Sequence, residues 1–204
     1  MSKLDGLTAE RVSTELSLPR SHLDRLAHDA SDSYESRSLD DGEKERQLRV
    51  PAPELKTFQS RFYRHYLRDH SYRDEVYCRP DHGVIEAAKQ HRKRSYLLHL
   101  DIRSFFPSVH CGFVRPALAN AGVDTGFVRM LTRLLTVDNQ LPQGAPTSVA
   151  VGNLVLTELD RRVGSLCREH GLTYTRYVDD LTISAGERLA GFEGTIRGIA
   201  EDCG

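Results

Sequence analysis

At 204 residues, with 39% hydrophobic and 28% charged positions and a net charge of −1, the chain has the size and make-up of one to one and a half globular domains. That composition excludes disorder throughout, a collagen-like rod and a membrane channel. No run approaches the ~18 apolar residues of a bilayer span, and Met1-Ser2-Lys3-Leu4-Asp5 lacks a secretory apolar stretch, so a cytoplasmic protein is expected.

The first stretch has a helical rhythm, with Leu16, Leu18, Pro19, Leu23, Leu26 and Ala27 on its apolar side, Ser21 as a cap and Asp24 in the first turn. Ser31 to Gly42 is polar, acidic and turn-forming, and reads as a loop or hairpin tip. Arg46 to Val50 alternates like a short strand ending at Pro51 and Pro53, and Leu55 to Leu67 has helical spacing (Leu55, Phe58, Phe62, Tyr66). Val84 to Gln90 predicts another helix. From Arg46 to Arg103 there are thirteen Lys or Arg against seven Asp or Glu, interleaved with Phe58, Phe62, Tyr63, Tyr66, Tyr72, Tyr77 and Tyr96. Such a segment suits a surface that neutralises phosphates and stacks on bases, and equally a solvated helix whose aromatics face the core.

The apolar run Tyr96, Leu97, Leu98, Leu100, Ile102 predicts a central strand that delivers Asp101 to its end. Phe113 to Leu135 reads as helix, turn at Gly122, helix; Ala150 to Cys167 reads as one long helix starting near Thr147 or Ser148. Thr173 to Val178 and Leu181 to Ser184 are β-rich runs separated by Asp179-Asp180, a hairpin with a two-residue acidic tip. The fold class is therefore α+β. Cysteines 78, 111, 167 and 203 have no CxxC pairing, which points to buried, reduced thiols.

Three carboxylates stand out. If the hairpin packs beside the Asp101 strand in one antiparallel sheet, at least one of Asp179 and Asp180 faces Asp101. Like charges that close repel, and a divalent cation relieves them. Oxygen-only ligation selects a hard ion such as Mg²⁺, completed by water and substrate phosphates, and two such ions suit in-line phosphoryl transfer.

Tyr177-Val178-Asp179-Asp180 resembles the YxDD box of reverse transcriptases. Leu100-Asp101-Ile102-Arg103-Ser104-Phe105-Phe106 resembles their first catalytic motif, and Leu141-Pro142-Gln143-Gly144-Ala145-Pro146-Thr147-Ser148 the glycine-containing motif that follows. The sequence is most similar to bacterial retron reverse transcriptases, through LPQGAPTS, through Tyr174-Thr175-Arg176-Tyr177 and through Arg46 followed by Pro51, Pro53, Leu55, Lys56 and Gln59. The resemblance covers residues 16–185. It implies a right-hand polymerase with an antiparallel palm sheet packed on helices. Its domains would be an N-terminal helical and polar segment (1–45), a fingers-like basic region (46–95) and a palm (96–204).

The resemblance also implies residue roles. Asp101 and Asp179 would bridge two Mg²⁺ ions, with Mn²⁺ as a substitute, and Asp180 would be the third acid. Ile102 and Arg103 would present backbone near the triphosphate, the Ile102 carbonyl also reaching a metal. Phe106 would abut the sugar C2′ and reject a 2′-hydroxyl, a task that needs a rigid ring. Gln143 and Gly144 would contact nucleotide or template, Tyr177 the template–primer, and Arg46 the triphosphate.

Three positions depart from the retron pattern. Leu39-Asp40-Asp41-Gly42-Glu43-Lys44 stands where a basic Pro-Lys-Lys turn is usual. Ala87-Ala88-Lys89-Gln90-His91 keeps the His of the NAxxH signature without its Asn, and Val149 follows Ser148 where Pro is common. Such polymerases continue past the acidic hairpin into a thumb, so the sequence reads as fingers and palm with the thumb absent, truncated at its C-terminal side.

The implied function is RNA-directed DNA synthesis on a 3′-hydroxyl. Its partners would be an RNA template (a cognate structured noncoding RNA), deoxynucleotides, the DNA product and an effector or toxin, with a role in phage defence and no membrane. Two alternatives stand beside it: a fragment that binds nucleic acid or a partner without synthesis, and a defence polymerase that works without a template.

Overall fold

Several helix starts in this chain are made by prolines, hydroxyls and carboxylates that satisfy or remove the free N–H groups of a first turn. In the computed structural model, which describes residues 2–40, 42, 45–186, 189 and 191–203 (Glu45 and Arg46 by backbone only), Thr8 caps α1 (Ala9–Glu15) by accepting from the Arg11 N–H. Helix α2 (Arg20–His28) is entered through Pro19 with no side-chain cap, so Ser21 lies inside the helix rather than capping it. Helix α3 (Pro53–Phe62) starts on its own proline and runs on as a π-helical turn, Tyr63–Leu67. Contacts divide the chain into two units, Met1–Ser71 with Phe106–Val155, and Tyr72–Phe105 with Leu156–Gly204.

The first unit is mainly helical. Besides α1 to α3 it holds most of the short α5 (Phe105–Ser108), then α6 (Cys111–Asn120), α7 (Thr125–Leu135) and α8 (Ser148–Val155). Asp124 caps α7 by accepting from the Gly126 N–H. The core gathers Leu23, Leu55, Phe58, Phe62, Leu118, Leu131 and Leu134, all at most 2% exposed. Gln59 is buried among them because its amide donates to Leu134 O and to the Tyr34 hydroxyl, both at 2.8 Å.

The polar stretch after Ser31, expected as a loop or hairpin tip, is one arm of a two-stranded ribbon: β1 (Tyr34–Asp40) pairs antiparallel with β2 (Glu45–Pro51), Tyr34 opposite Pro51 and Asp40 opposite Glu45. Neither face of β1 is buried beyond Tyr34, so no apolar alternation marked it as a strand. Of the seven aromatics in the basic segment, Phe58, Phe62, Tyr66, Tyr72 and Tyr77 are buried. Those five face a core and offer no surface to bases.

The second unit is a three-stranded antiparallel sheet of order β3-β5-β4, from β3 (Tyr96–Asp101), β4 (Thr173–Tyr177) and β5 (Asp180–Ala185). The Asp101 strand is thus at an edge, not central. Its first residues, Tyr96 and Leu97, are 45% and 64% exposed.

Alternation divides the sheet's two faces. Tyr174, Leu181 and Ile183 pack with Leu98 and Leu100 against α9 (Thr157–Glu169) and α10 (Phe192–Cys203), through Leu159, Val163, Cys167 and Ile196. The opposite face carries hydroxyls and acids, and α4 (Val84–Gln90) is pinned to it by His91, which bonds Ser184 Oγ (2.7 Å) and Thr175 Oγ1 (2.8 Å).

The long helix expected from 150 to 167 is two, α8 and α9, interrupted at Leu156 (φ −80°, ψ 5°). Apolar spacing runs through the break unchanged, so the sequence carries no mark of it. Thr147 O accepts the first helical bond of α8 from Val151, but its hydroxyl is buried without a partner among the described residues and caps nothing. All four cysteines are free thiols, and only Cys167 is buried. No described helix is long and apolar enough to cross a membrane.

Candidate active site

The strand register of the second unit gathers the acids. Asp101 pairs directly with Asp180, so both carboxylates leave the same face of the sheet, with Cα atoms some ~4.5–5.5 Å apart as for any antiparallel pair. The hairpin tip is Val178-Asp179, one residue earlier than expected, because Tyr177 and Asp180 already pair as strand residues. Val178 has φ +58°, positive at the first of two turn residues, the position at which a tight hairpin normally uses glycine. A β-branched residue gives no turn signal there, so the sequence alone points to a tip one residue later. The Ile102 N–H donates to Asp179 O at 3.1 Å, so the segment after β3 is tied to the tip. Asp101, Ile102, Tyr177, Asp179 and Asp180 thus share one end of one sheet, and Arg103 follows directly, exposed.

Two neighbours went unnoticed in the sequence. His99, on the same face as Asp101 two residues earlier, has Nε2 3.3 Å from Asp180 Oδ1 and Nδ1 3.2 Å from Thr182 Oγ1. Alternation from Asp101 would have found it. The second is a buried ion pair: Arg176, 0% exposed, donates through Nε and Nη2 to both oxygens of Asp160 (2.8 and 2.7 Å) and through Nη1 to Val178 O (2.6 Å). Tyr174 also donates to Asp160 (2.7 Å), and its phenol is held well above the usual range by burial and by that carboxylate. The spacing of Asp160 and Arg176 gave no hint that they meet. A groove of about 350 Å³, lined by His91, Leu97, His99, Tyr177 and Thr182, opens beside Asp180. The phenol of Tyr177 is raised by the neighbouring Cys78 and by burial.

The remaining expected residues lie in the first unit. Gln143 O accepts from the Arg49 N–H (2.8 Å), and Gly144, at φ +116°, lies against the backbone of β2. The Gln143-Gly144 turn therefore sits on the strand that carries Arg46. Arg46 pairs with Leu39 in register, and its side chain lies outside the described residues. Phe105 is 3% exposed and faces inward, while Phe106 is half-buried.

The donor set fits a hard divalent cation in one respect. Asp101 and Asp180 are paired oxygen donors with no Lys or Arg neutralising them among the described residues. No group of three or more His, Cys, Asp or Glu side chains among those residues is close enough to cage an ion. Mg²⁺ rarely uses such a cage, taking one or two carboxylates and completing its shell with water and substrate phosphates.

Compared with known proteins, residues 40–197 match the family described as reverse transcriptase (RNA-dependent DNA polymerase). The chain belongs to the reverse transcriptase family. Among relatives, it is 36% identical over 103 residues to the retron Ec86 reverse transcriptase of Escherichia coli, covering 50% of this chain and 32% of that protein. It is 37% identical over 129 residues to the retron Mx65 reverse transcriptase of Myxococcus xanthus, covering 54% and 30%. Against the retron Se72 reverse transcriptase of Salmonella heidelberg it is 28% identical over 199 residues, covering 96% of this chain and 51% of the relative. The chain thus spans about a third to a half of the length of the curated relatives it matches.

Proposed function

We propose that this chain is the polymerising part of a retron-type, RNA-directed DNA polymerase that joins deoxynucleotides to a 3′-hydroxyl by phosphoryl transfer. The observation that carries the reading is the register of Asp101 with Asp180, together with the tie from Ile102 to Asp179. Residues 46–95 act as the fingers-like part and 96–204 as the palm, after an N-terminal segment of 1–45.

Asp101, Asp179 and Asp180, with the Ile102 carbonyl, would hold two Mg²⁺ ions (or Mn²⁺). When bound, such ions activate the attacking hydroxyl and stabilise the pyrophosphate leaving group. The chain's own contribution is positioning. The sheet fixes the carboxylates on one face, the exposed edge leaves them open to a nucleic acid, and Arg103 adds positive charge beside the triphosphate. Phe106 would exclude the 2′-hydroxyl; Gln143 and Gly144 would line the nucleotide, Arg46 would bind its phosphates, and Tyr177 would touch the template–primer. The template would be RNA, drawn from a cognate structured noncoding RNA, and the product would serve phage defence with an effector partner.

Primer extension on a defined RNA template with Mg²⁺ tests the reading, with Asp179→Ala as control. Incorporation lost in the control supports it. Tight RNA binding without incorporation would replace it with a binding role, and incorporation independent of template sequence with a template-free polymerase.

A further inference from the structure

Arg176 is a motif residue for which the proposed chemistry has no use. It points away from the acidic face, toward α9, yet it is the largest fully buried side chain among the described residues. Burying an ion pair is a poor route to stability: an apolar pair of similar volume often does as well or better. Asp160 engages only two of the three guanidinium nitrogens. The third, Nη1, donates to the carbonyl of Val178, the residue at φ +58° in the hairpin tip. A valine in that region is strained by about 1–3 kcal/mol and persists only where its surroundings hold it. Relaxation to negative φ would rotate the Val178–Asp179 peptide, moving the carbonyl that Arg176 holds and the Asp179 oxygen that accepts from Ile102.

Arg176 is in turn immobilised on every side. Its N–H donates to Glu75 O and its carbonyl accepts from the Tyr77 N–H, both at 2.8 Å. Asp160 grips its Nε and Nη2 in a bidentate fork, and Tyr174 completes the acceptor set of Asp160 at 2.7 Å. A lysine, with one point charge, cannot make the fork and the third bond together.

We infer that Arg176, held by Asp160, is a positioning residue that pins the strained Val178 carbonyl and thereby sets Asp179 against Asp101 and Asp180. The link to synthesis rests on the polymerase reading; the link to tip geometry does not.

The test uses Arg176→Lys and the double variant Asp160→Leu/Arg176→Met, the latter in a Tyr174→Phe background, so that removing both charges leaves neither a charge nor the Tyr174 hydroxyl unpaired in the core. Each is compared with the parent by thermal unfolding, by amide exchange at Ile102 and Val178 to Asp180, and by the kcat and KM of primer extension. The expected result for the double variant is a parental melting temperature, exchange at Ile102 faster by about tenfold or more, and kcat lower by about ten- to a hundredfold with the deoxynucleotide KM little changed. A purely structural pair predicts the opposite, since restoring the fold would restore kcat and protection, and that outcome overturns the inference. Should the double variant fail to fold, Arg176→Lys carries the test, and parental exchange at Ile102 in that variant overturns the inference. If the parent extends no primer yet Ile102 loses protection in the variants, the polymerase reading fails and the positioning role stands.

Discussion

Replacing His91 by leucine removes a ring that joins helix α4 to two strands. Nδ1 lies 2.7 Å from Ser184 Oγ and Nε2 2.8 Å from Thr175 Oγ1, and those residues are 0% and 3% exposed. Leucine fills similar volume but leaves two buried hydroxyls without their partner, at about 1–3 kcal/mol each, so the expected loss is about 2–6 kcal/mol. In a chain of this length that corresponds to a fall in melting temperature of roughly 4–24 °C.

The effect also has a pH signature. Burial, and then the nearby Arg94, holds the His91 pKa below its ordinary value of 6.5. On acidification through 6.5 the unfolded chain takes up the proton first, so folding stability is lost as pH falls toward the depressed folded value. The gap between parent and His91→Leu is therefore widest above pH 7 and narrows toward pH 5. Urea unfolding at a series of pH values, extrapolated linearly to water, measures it. Equal midpoints at neutral pH, or a gap that widens on acidification, would refute the reasoning.

Other outcomes follow from the same geometry. Asp101→Asn should abolish primer extension. By removing one of two like charges directly opposed across the sheet, it should leave metal-free stability unchanged or raise it by up to about 1 kcal/mol in urea titration. Ile183→Ala, in the middle of the second unit's core at 0% exposure, should cost about 2–5 kcal/mol, read as a lower urea midpoint with an unchanged slope. Phe106→Ala should raise ribonucleotide incorporation relative to deoxynucleotide, measured as the ratio of kcat/KM values; an unchanged ratio would remove Phe106 from sugar selection.

The sequence by itself singles out the acids as candidates, because Asp101, Asp179 and Asp180 sit in local patterns: an apolar run ending in a carboxylate, and two β-rich runs around an acidic pair. It was also enough for the α+β class and for most helices, since apolar spacing, Pro53 and the cap residues act over a few positions. It misled where local signals were silent. Polar β1 is a ribbon with no buried face to impose alternation, and a valine at φ +58° hides the true tip of the hairpin. Apolar spacing also continues through the helix break at Leu156.

What only the tertiary structure decided are the contacts between residues far apart in the chain. Asp101 faces Asp180 because strand register is a property of two strands at once. Asp160 and Arg176 meet because α9 folds back on β4, and His91 joins Ser184 and Thr175 because α4 lies across the sheet's polar face. No spacing along one segment encodes such a distance; it is set by which apolar faces the chain buries together.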